Sequence, residues 1–352
     1  MNITIKPYSK EYAKQCADLQ KYLWKEDKQG REERFDWAYD KNPNNTEPLS
    51  LIAVNENDEV LGFRGYFLNR FFVNNEELLV AQIADTVVSK KARRRGIFQK
   101  MNNHSIEYLS EKNVPFLLNI GPSWPPYYGY KKIGFEDLAP FHSKYRFSLI
   151  NLLNCKLFKI DRCKWRENIR EFEKKVDNKT YIISNKISDN TLSQIETFKK
   201  INPISSFLTI SNLKWRSKRP NRNYIYAYVL DNEGVLISFV MFKTNDFYNY
   251  DIGLLLTKET KTIKLLMQLF RRKYKPAVIA AWDFALHEKD KLVLKKLGMY
   301  SIPFINKIRK NPPALIRALQ ENEDGSLNWI INGVDIRNIE NWTISKIDLD
   351  SF

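Results

Sequence analysis

The sequence predicts an α/β (α+β) protein made of two tandem mixed-sheet domains, the second a degenerate copy of the first. Three observations lead there: a strand that ends in a basic turn and a glycine before an amphipathic helix, landmarks that recur in one order in both halves, and a composition able to build two cores. The chain has 352 residues, 43% hydrophobic and 28% charged. That length holds one large domain or two of medium size.

The most informative run is Val87-Val88-Ser89-Lys90-Lys91-Ala92-Arg93-Arg94-Arg95-Gly96-Ile97-Phe98. β-Branched residues feed a basic turn, and Gly96 opens a helix whose Ile97, Phe98, Met101, Ile106 and Leu109 fall near one stripe. The free N–H groups of such a helix start, with the peptide dipoles behind them, suit an anionic pyrophosphate. Glycine lets the backbone come close. A solvated turn is the plain alternative for one strand, turn and helix. A second element narrows the choice: the apolar run Val114 to Ile120, a loop, then Tyr130-Lys131-Lys132-Ile133-Gly134-Phe135.

With Arg93-x-x-Gly96-x-Phe98 followed by that tyrosine segment, the chain resembles the GNAT acyl-CoA transferases. Their signature is R/Q-x-x-G-x-G/A after a strand, then Y-x-K-x-G-F. Phe98 departs from it, a bulky side chain standing where the family has Gly or Ala. The Arg-x-x-Gly-Ile-Phe version, and Asn42-Pro43 after Phe35-Asp36-Trp37, resemble the branch that joins two copies of the fold.

The resemblance implies an N-acyltransferase that takes acetyl-CoA as donor and a small-molecule or peptide amine as acceptor. It implies that Thr86 and Val88 hold the pantetheine by sheet-like hydrogen bonds. Arg93, Arg94, Arg95, Gly96, Ile97 and Phe98 would seat the pyrophosphate, and Asn119 lies on the next strand of the coenzyme site. Tyr130 would donate a proton or hydrogen bond to the departing thiolate. An amine resembling lysine titrates near 10.4, so attack needs a base, and Asp85 is the candidate. The bland alternatives are a core aromatic for Tyr130, with Tyr127 and Tyr128 close by, and a carboxylate paired with a Lys or Arg for Asp85. The loop Gly121 to Pro126 is longer than the family spacing, which bears on Asn119 and Ser123.

Six landmarks recur in order. Ile3 to Ile5 with the helix Glu11 to Leu23 match Tyr181 to Ile183 with Thr191 to Ile201. Trp37 with Asn42-Pro43 matches Trp215 with Arg219-Pro220. The hairpin over Leu51 to Phe63 matches that over Tyr226 to Phe239, both with suitable turn residues. Thr86 to Lys90 matches Leu254 to Lys258, each followed by a helix, and Tyr130 to Phe135 matches Leu294 to Met299. Aligned so, Lys264 stands at Gly96, Leu294 at Tyr130 and Gly253 at Asp85. The second copy then binds no acetyl-CoA productively; it either shapes the acceptor cleft or supports the first.

The expected organisation is a GNAT domain with the acyl-CoA site over 1–149, a helical connector over 150–177, the degenerate domain over 178–310, and a tail over 311–352. The tail is expected to hold a helix, Ala314 to Gln320, and strands at Trp329 to Ile331 and Trp342 to Ile344. Cys16, Cys155 and Cys163 show no C-x-x-C spacing and the three histidines are scattered, which argues against zinc and a disulfide framework. No window forms a membrane span, and the amino end lacks a signal core, so the cytoplasm is expected. The net charge of +16 admits nucleic acid, anionic membrane or phosphorylated ligands as partners. No RNA-binding aromatic signature accompanies the cluster Arg271 to Lys275, which reads as a solvated helix end. The alternatives carried forward are a Fem-type aminoacyl-tRNA-dependent transferase and a non-catalytic coenzyme A-binding protein.

Overall fold

The computed structural model describes residues 2–158, 171–198, 202–303, 312–349 and 352. The chain starts with strand β1 (Ile3–Pro7) and helices α1 (Ala13–Leu19) and α2 (Lys28–Phe35). Asp27 caps α2, its carboxylate accepting from the Gly30 N–H at 2.7 Å. A meander follows, β2 (Leu51–Asn55), β3 (Val60–Val73) and β4 (Glu76–Val88). Asn74 and Asn75 turn β3 into β4 with φ of 51° and 69°, the left-handed pair that matches hairpin twist. Then come α3 (Ile97–Glu111), β5 (Phe116–Asn119), α4 (Trp124–Lys131) and β6 (Glu136–Ala139).

Beyond β7 (Ser143–Phe147) and α5 (Leu149–Phe158) the pattern repeats. The repeat comprises β8 (Phe172–Val176), β9 (Lys179–Ser184), α6 (Asp189–Ser193), β10 (Ile204–Ser206) and α7 (Ile210–Ser217). A second meander, β11 (Asn223–Leu230), β12 (Leu236–Thr244) and β13 (Asn249–Thr257), leads into α8 (Thr260–Tyr274). It ends with β14 (Val278–Trp282), α9 (Glu288–Lys296) and β15 (Tyr300–Ser301). The tail supplies β16 (Ala314–Ala318), the hairpin β17 (Ile330–Ile331) and β18 (Val334–Asp335), and β19 (Trp342–Thr343).

The two halves exchange a strand. The first sheet runs β1-β2-β3-β4-β5-β16-β6 and the second β15-β7-β14-β13-β12-β11-β9-β8. β16, from the end of the chain, fills the gap between β5 and β6, while β7 fills the equivalent gap between β14 and β15. β10 also crosses over, pairing Ile204 with Val73 of β3 and carrying β19 in parallel.

This corrects the expected helix at Ala314 to Gln320: five of those residues are strand. Ala314, Leu315, Ile316 and Ala318 are buried, and a short run apolar on both faces has no period to separate strand from helix. Of the connector expected to be helical over 150–177, the described part is helix in α5 and ends as the edge strand β8 paired with β9. Residues 159–170, including Cys163 and Trp165, lie outside the described residues.

Trp37 and Trp215, matched in sequence, meet in space. Their rings stack at 4.8 Å and 15°, and each indole N–H donates to the other's carbonyl, at 2.9 and 2.8 Å. That reciprocity marks a local two-fold relation between the halves.

Candidate active site

β4 determines the geometry. It pairs with β3 along its length but with β5 only at Ala81 with Leu117 and Gln82 with Leu118. From Ile83 to Val88 the other edge of β4 has no strand partner among the described residues, so apart from the Val88 carbonyl, which Arg93 takes, its backbone is open for a ligand to add sheet-like hydrogen bonds. Within this stretch the strand bulges: Arg64 faces Thr86 and Tyr66 faces Ile83, so Gly65 alone opposes Ala84 and Asp85. A Cβ on Gly65 would run into the Tyr39 phenol, so only glycine fits there.

At the end of β4 the chain turns through a 3-10 segment, Lys90–Ala92. Arg94 and Gly96 adopt left-handed conformations, φ 64° and 72°, and Gly96 becomes the N-cap of α3. No side chain caps this helix start, and a Cβ on Gly96 would meet nothing within 4 Å. Arg93, Arg94 and Arg95 are exposed around it, while Ile97 is buried and anchors the helix. Arg93 Nε donates to the Val88 carbonyl at 3.2 Å, fastening the turn to β4. Uncapped N–H groups, open space and three guanidinium groups fit an anionic diphosphate.

Phe98 does not block this seat. Its ring packs on Gly129 of α4, where a Cβ would come within 2.8 Å, and lies 5.7 Å from the Tyr130 ring. A small residue in α4 thus accommodates the bulky one in α3.

A fully buried cation lies beside Tyr130. Arg64 is 0% exposed and its Nη1 donates to the Tyr130 hydroxyl at 2.7 Å and to Thr86 Oγ1. Its Nε donates to the Tyr66 hydroxyl at 3.1 Å, and its Nη2 is buried without a partner. Burial works against its charge, but the Tyr130 and Tyr66 phenols more than restore it, so the guanidinium pKa is raised. Of the three tyrosines in α4, Tyr130 points inward, Tyr127 donates to Asp137 and Tyr128 is exposed.

Asp85 points to the opposite face of the sheet. It is bidentate to Arg34, at 2.7 and 3.3 Å, and accepts from Gln20 Nε2 and Trp24 Nε1 at 2.7 Å and the Tyr39 hydroxyl at 2.8 Å. Both oxygens are engaged by donors from α1, α2 and their flanks, so the geometry is that of a buried structural ion pair. Asn119, buried at the end of β5, accepts from the Gly121 N–H at 3.3 Å. Arg64 was not singled out from sequence, although a lone charge within Val-Leu-Gly-Phe-Arg-Gly-Tyr-Phe was the available signal.

The second half repeats the architecture without the polar cluster. β13 pairs with β14 only from Asn249 to Asp251 and then runs free, and it bulges at Gly253, between Met241 with Leu254 and Phe242 with Ile252. By register, Met241 and Leu254 take the places of Arg64 and Thr86. Leu294, near the end of α9 and before left-handed Gly298, takes that of Tyr130. The match of Lys264 with Gly96 is corrected: Lys264 lies inside α8, whose N-cap is Glu259. The second half turns from strand to helix more tightly, without the left-handed residues. Glu259 is the N-cap residue of α8, and its carboxylate, held below its ordinary range by hydrogen bonds from Lys179 and then Thr262, puts a negative charge beside this helix start where the first half has three arginines.

Comparison with known proteins agrees with this anatomy. Residues 4–137 match the model of the acetyltransferase (GNAT) domain. Among solved structures, a conserved protein from Enterococcus faecalis V583 described as a probable N-acyltransferase superposes with a TM-score of 0.64 at 13% identity, over 91% of this chain and 73% of the other. N-myristoyltransferase of Saccharomyces cerevisiae with bound myristoyl-CoA gives 0.54 at 13%, over 93% and 83%. A tandem GNAT protein from the clavulanic acid biosynthesis pathway gives 0.50 at 11%, over 92% and 100%. These similarities show a shared fold across both halves. No curated protein sequence matches the chain. Among the described residues no group of three or more His, Cys, Asp and Glu could hold a metal, and no helix is long and apolar enough to cross a membrane.

Proposed function

We propose that the chain is an acyl-CoA-dependent N-acyltransferase, with acetyl-CoA as donor and an amine as acceptor, acting through its first half. The observation that carries this is the open edge of β4, which leads from the uncapped start of α3 to buried Arg64 and Tyr130 and half-buried Thr86. Bound along it, the coenzyme supplies an activated thioester. The backbone of Thr86 and Val88 would align the pantetheine, and the N–H groups from Arg94 to Phe98, with Arg93, Arg94 and Arg95, would hold the diphosphate.

Tyr130 presents its hydroxyl to the sulfur as donor, and Arg64, with its free Nη2, supplies positive charge where negative charge develops. Asp85 is assigned a positioning role: pinned by Arg34, it fixes the bulge of β4 against α1 and α2, and the amine proton leaves through solvent. The second half, with Glu259 at its helix start and an apolar counterpart of the cluster, is assigned no coenzyme. Cys16, whose thiol is pushed up by burial, and Cys155 are free, in keeping with a cytoplasmic setting.

A screen of aminoglycosides, amino sugars, polyamines and peptides with acetyl-CoA, read by thiol release, tests this reading. Turnover that falls in Tyr130→Phe supports it. Coenzyme binding without thiol release from any amine would favour a non-catalytic binder. Salt-sensitive tRNA binding without coenzyme binding would favour the Fem-type alternative.

A further inference from the structure

α5 buries little of its apolar surface. Leu149, Ile150, Leu153 and Leu157 are 74%, 73%, 56% and 70% exposed. Leu149, Leu153 and Leu157 are four residues apart, which puts them on one face, and Ile150 flanks them. Phe147, just before the helix, is also exposed. Four large aliphatic side chains facing water in nine residues form a continuous apolar stripe of the kind that marks an interaction site.

Beside the start of α5 lies a concentration of positive charge. A cavity of about 490 Å³ is lined by Arg146 of β7, Asn151 of α5 and Arg271 and Arg272 from the end of α8, with no carboxylate among the described residues that line it. Asn151 Nδ2 donates to the Pro276 carbonyl at 3.1 Å, tying α5 to this cavity. Arg146 donates to the Leu297 carbonyl at 2.7 Å and Arg271 to that of Met267 at 3.2 Å. Cations favour a helix C-terminus, which accounts for Arg271 and Arg272 singly. It accounts neither for Arg146, brought to the same cavity by another element, nor for the adjoining apolar stripe.

We propose that this face docks the protein on an anionic phospholipid bilayer. The stripe of α5 would lie in the interface with its leucines among the acyl chains, and the arginine cavity would receive a headgroup phosphate. Among the described residues no helix is long and apolar enough to cross a membrane, and α5 is placed along the surface. Phosphate beside acyl chain is the chemistry that matches guanidinium groups beside leucines. The proposal stands apart from the transferase reading, since it uses no residue of that site.

Co-sedimentation of the full chain with vesicles of phosphatidylcholine alone, or with phosphatidylglycerol added, tests it at physiological salt. The net charge of +16 attracts any anionic surface, so the variants decide. Binding is expected to the anionic vesicles and not to the neutral ones. The triple variant Leu149→Gln, Leu153→Gln, Leu157→Gln, all at exposed positions, should lower it about tenfold or more. The pair Arg271→Gln, Arg272→Gln should lower it more than Lys10→Gln, Lys14→Gln, which removes equal charge from the first half. No binding to anionic vesicles would overturn the proposal. So would binding indifferent to the leucine variants and lowered equally by both charge pairs. A stable dimer dissolved by the leucine variants would show that a second copy covers the stripe, and would also overturn it.

Discussion

Replacing Arg64 by methionine, the residue at the corresponding position of the second half, should separate stability from function. Arg64 has no carboxylate partner among the described residues, and its hydrogen-bonded neighbours are the hydroxyls of Tyr66, Thr86 and Tyr130. Without it, Thr86 and Tyr130 can still bond each other, their oxygens being 3.3 Å apart. Tyr66 alone loses its donor, about 1 to 2 kcal/mol. Against this, a buried cation that carries a desolvation cost and bonds only hydroxyls gives way to an apolar side chain of similar length, a change that in buried sites is often neutral or stabilising. The two effects offset to within about 1 kcal/mol, so the melting temperature should move by no more than about 2 to 4 °C. The rate should behave otherwise. Loss of one preorganised donor at developing negative charge typically lowers kcat by about 10² to 10³. Thiol release with a responsive amine, beside a thermal melt, measures both. Activity within twofold of the parent, or a collapse of the melt, would refute the assignment of Arg64 to the chemistry.

Three further expectations follow from the packing. Burial depresses Lys243 to about 8, against the opposing pull of Asp251. Between pH 8 and the usual lysine value the unfolded chain therefore holds more protons, and stability rises with pH there. Lys243→Met should be more stable than the parent at pH 7, by up to about 3 kcal/mol, with the gain vanishing toward pH 10.5 in denaturant titrations. Gly129→Ala should lower stability by about 1 kcal/mol despite better helix propensity, because its Cβ meets Phe98, and Phe98→Leu in the same chain should restore it in a double-mutant cycle. A fragment of residues 1–149 lacks β16 and leaves β5 and β6 with bare edges, so it should aggregate, and co-expression with the remainder should rescue it.

Local features were the legible ones. The basic turn, the glycine and the helix after it are contiguous, so their sequence states their geometry, and Gly96 is left-handed as its place requires. The duplication was legible because each half must build the same meander, and Trp37 and Trp215 prove to be partners across it. The strand exchange was not, since β16 finds its neighbours nearly two hundred residues away and no local pattern names them. Asp85 looked like a base in isolation, and its engagement depends on Gln20, Trp24, Arg34 and Tyr39, gathered from distant turns of chain. Arg64 was hidden for the same reason, its partner Tyr130 being set by how α4 packs. The slip between Lys264 and Glu259 came from matching turns of unequal length.

The most direct measurement is calorimetric titration of the full chain with acetyl-CoA in the parent, in Gly96→Trp and in Glu259→Trp. A bulky side chain at residue 96 fills the space before α3, whereas one at residue 259 alters only the start of α8. Binding that is abolished by the first substitution and kept by the second, with the melt of Gly96→Trp lowered only by the few degrees that a side chain at a left-handed position costs, is the predicted result. Undiminished affinity in Gly96→Trp, or loss in Glu259→Trp alone, would contradict a coenzyme site in the first half.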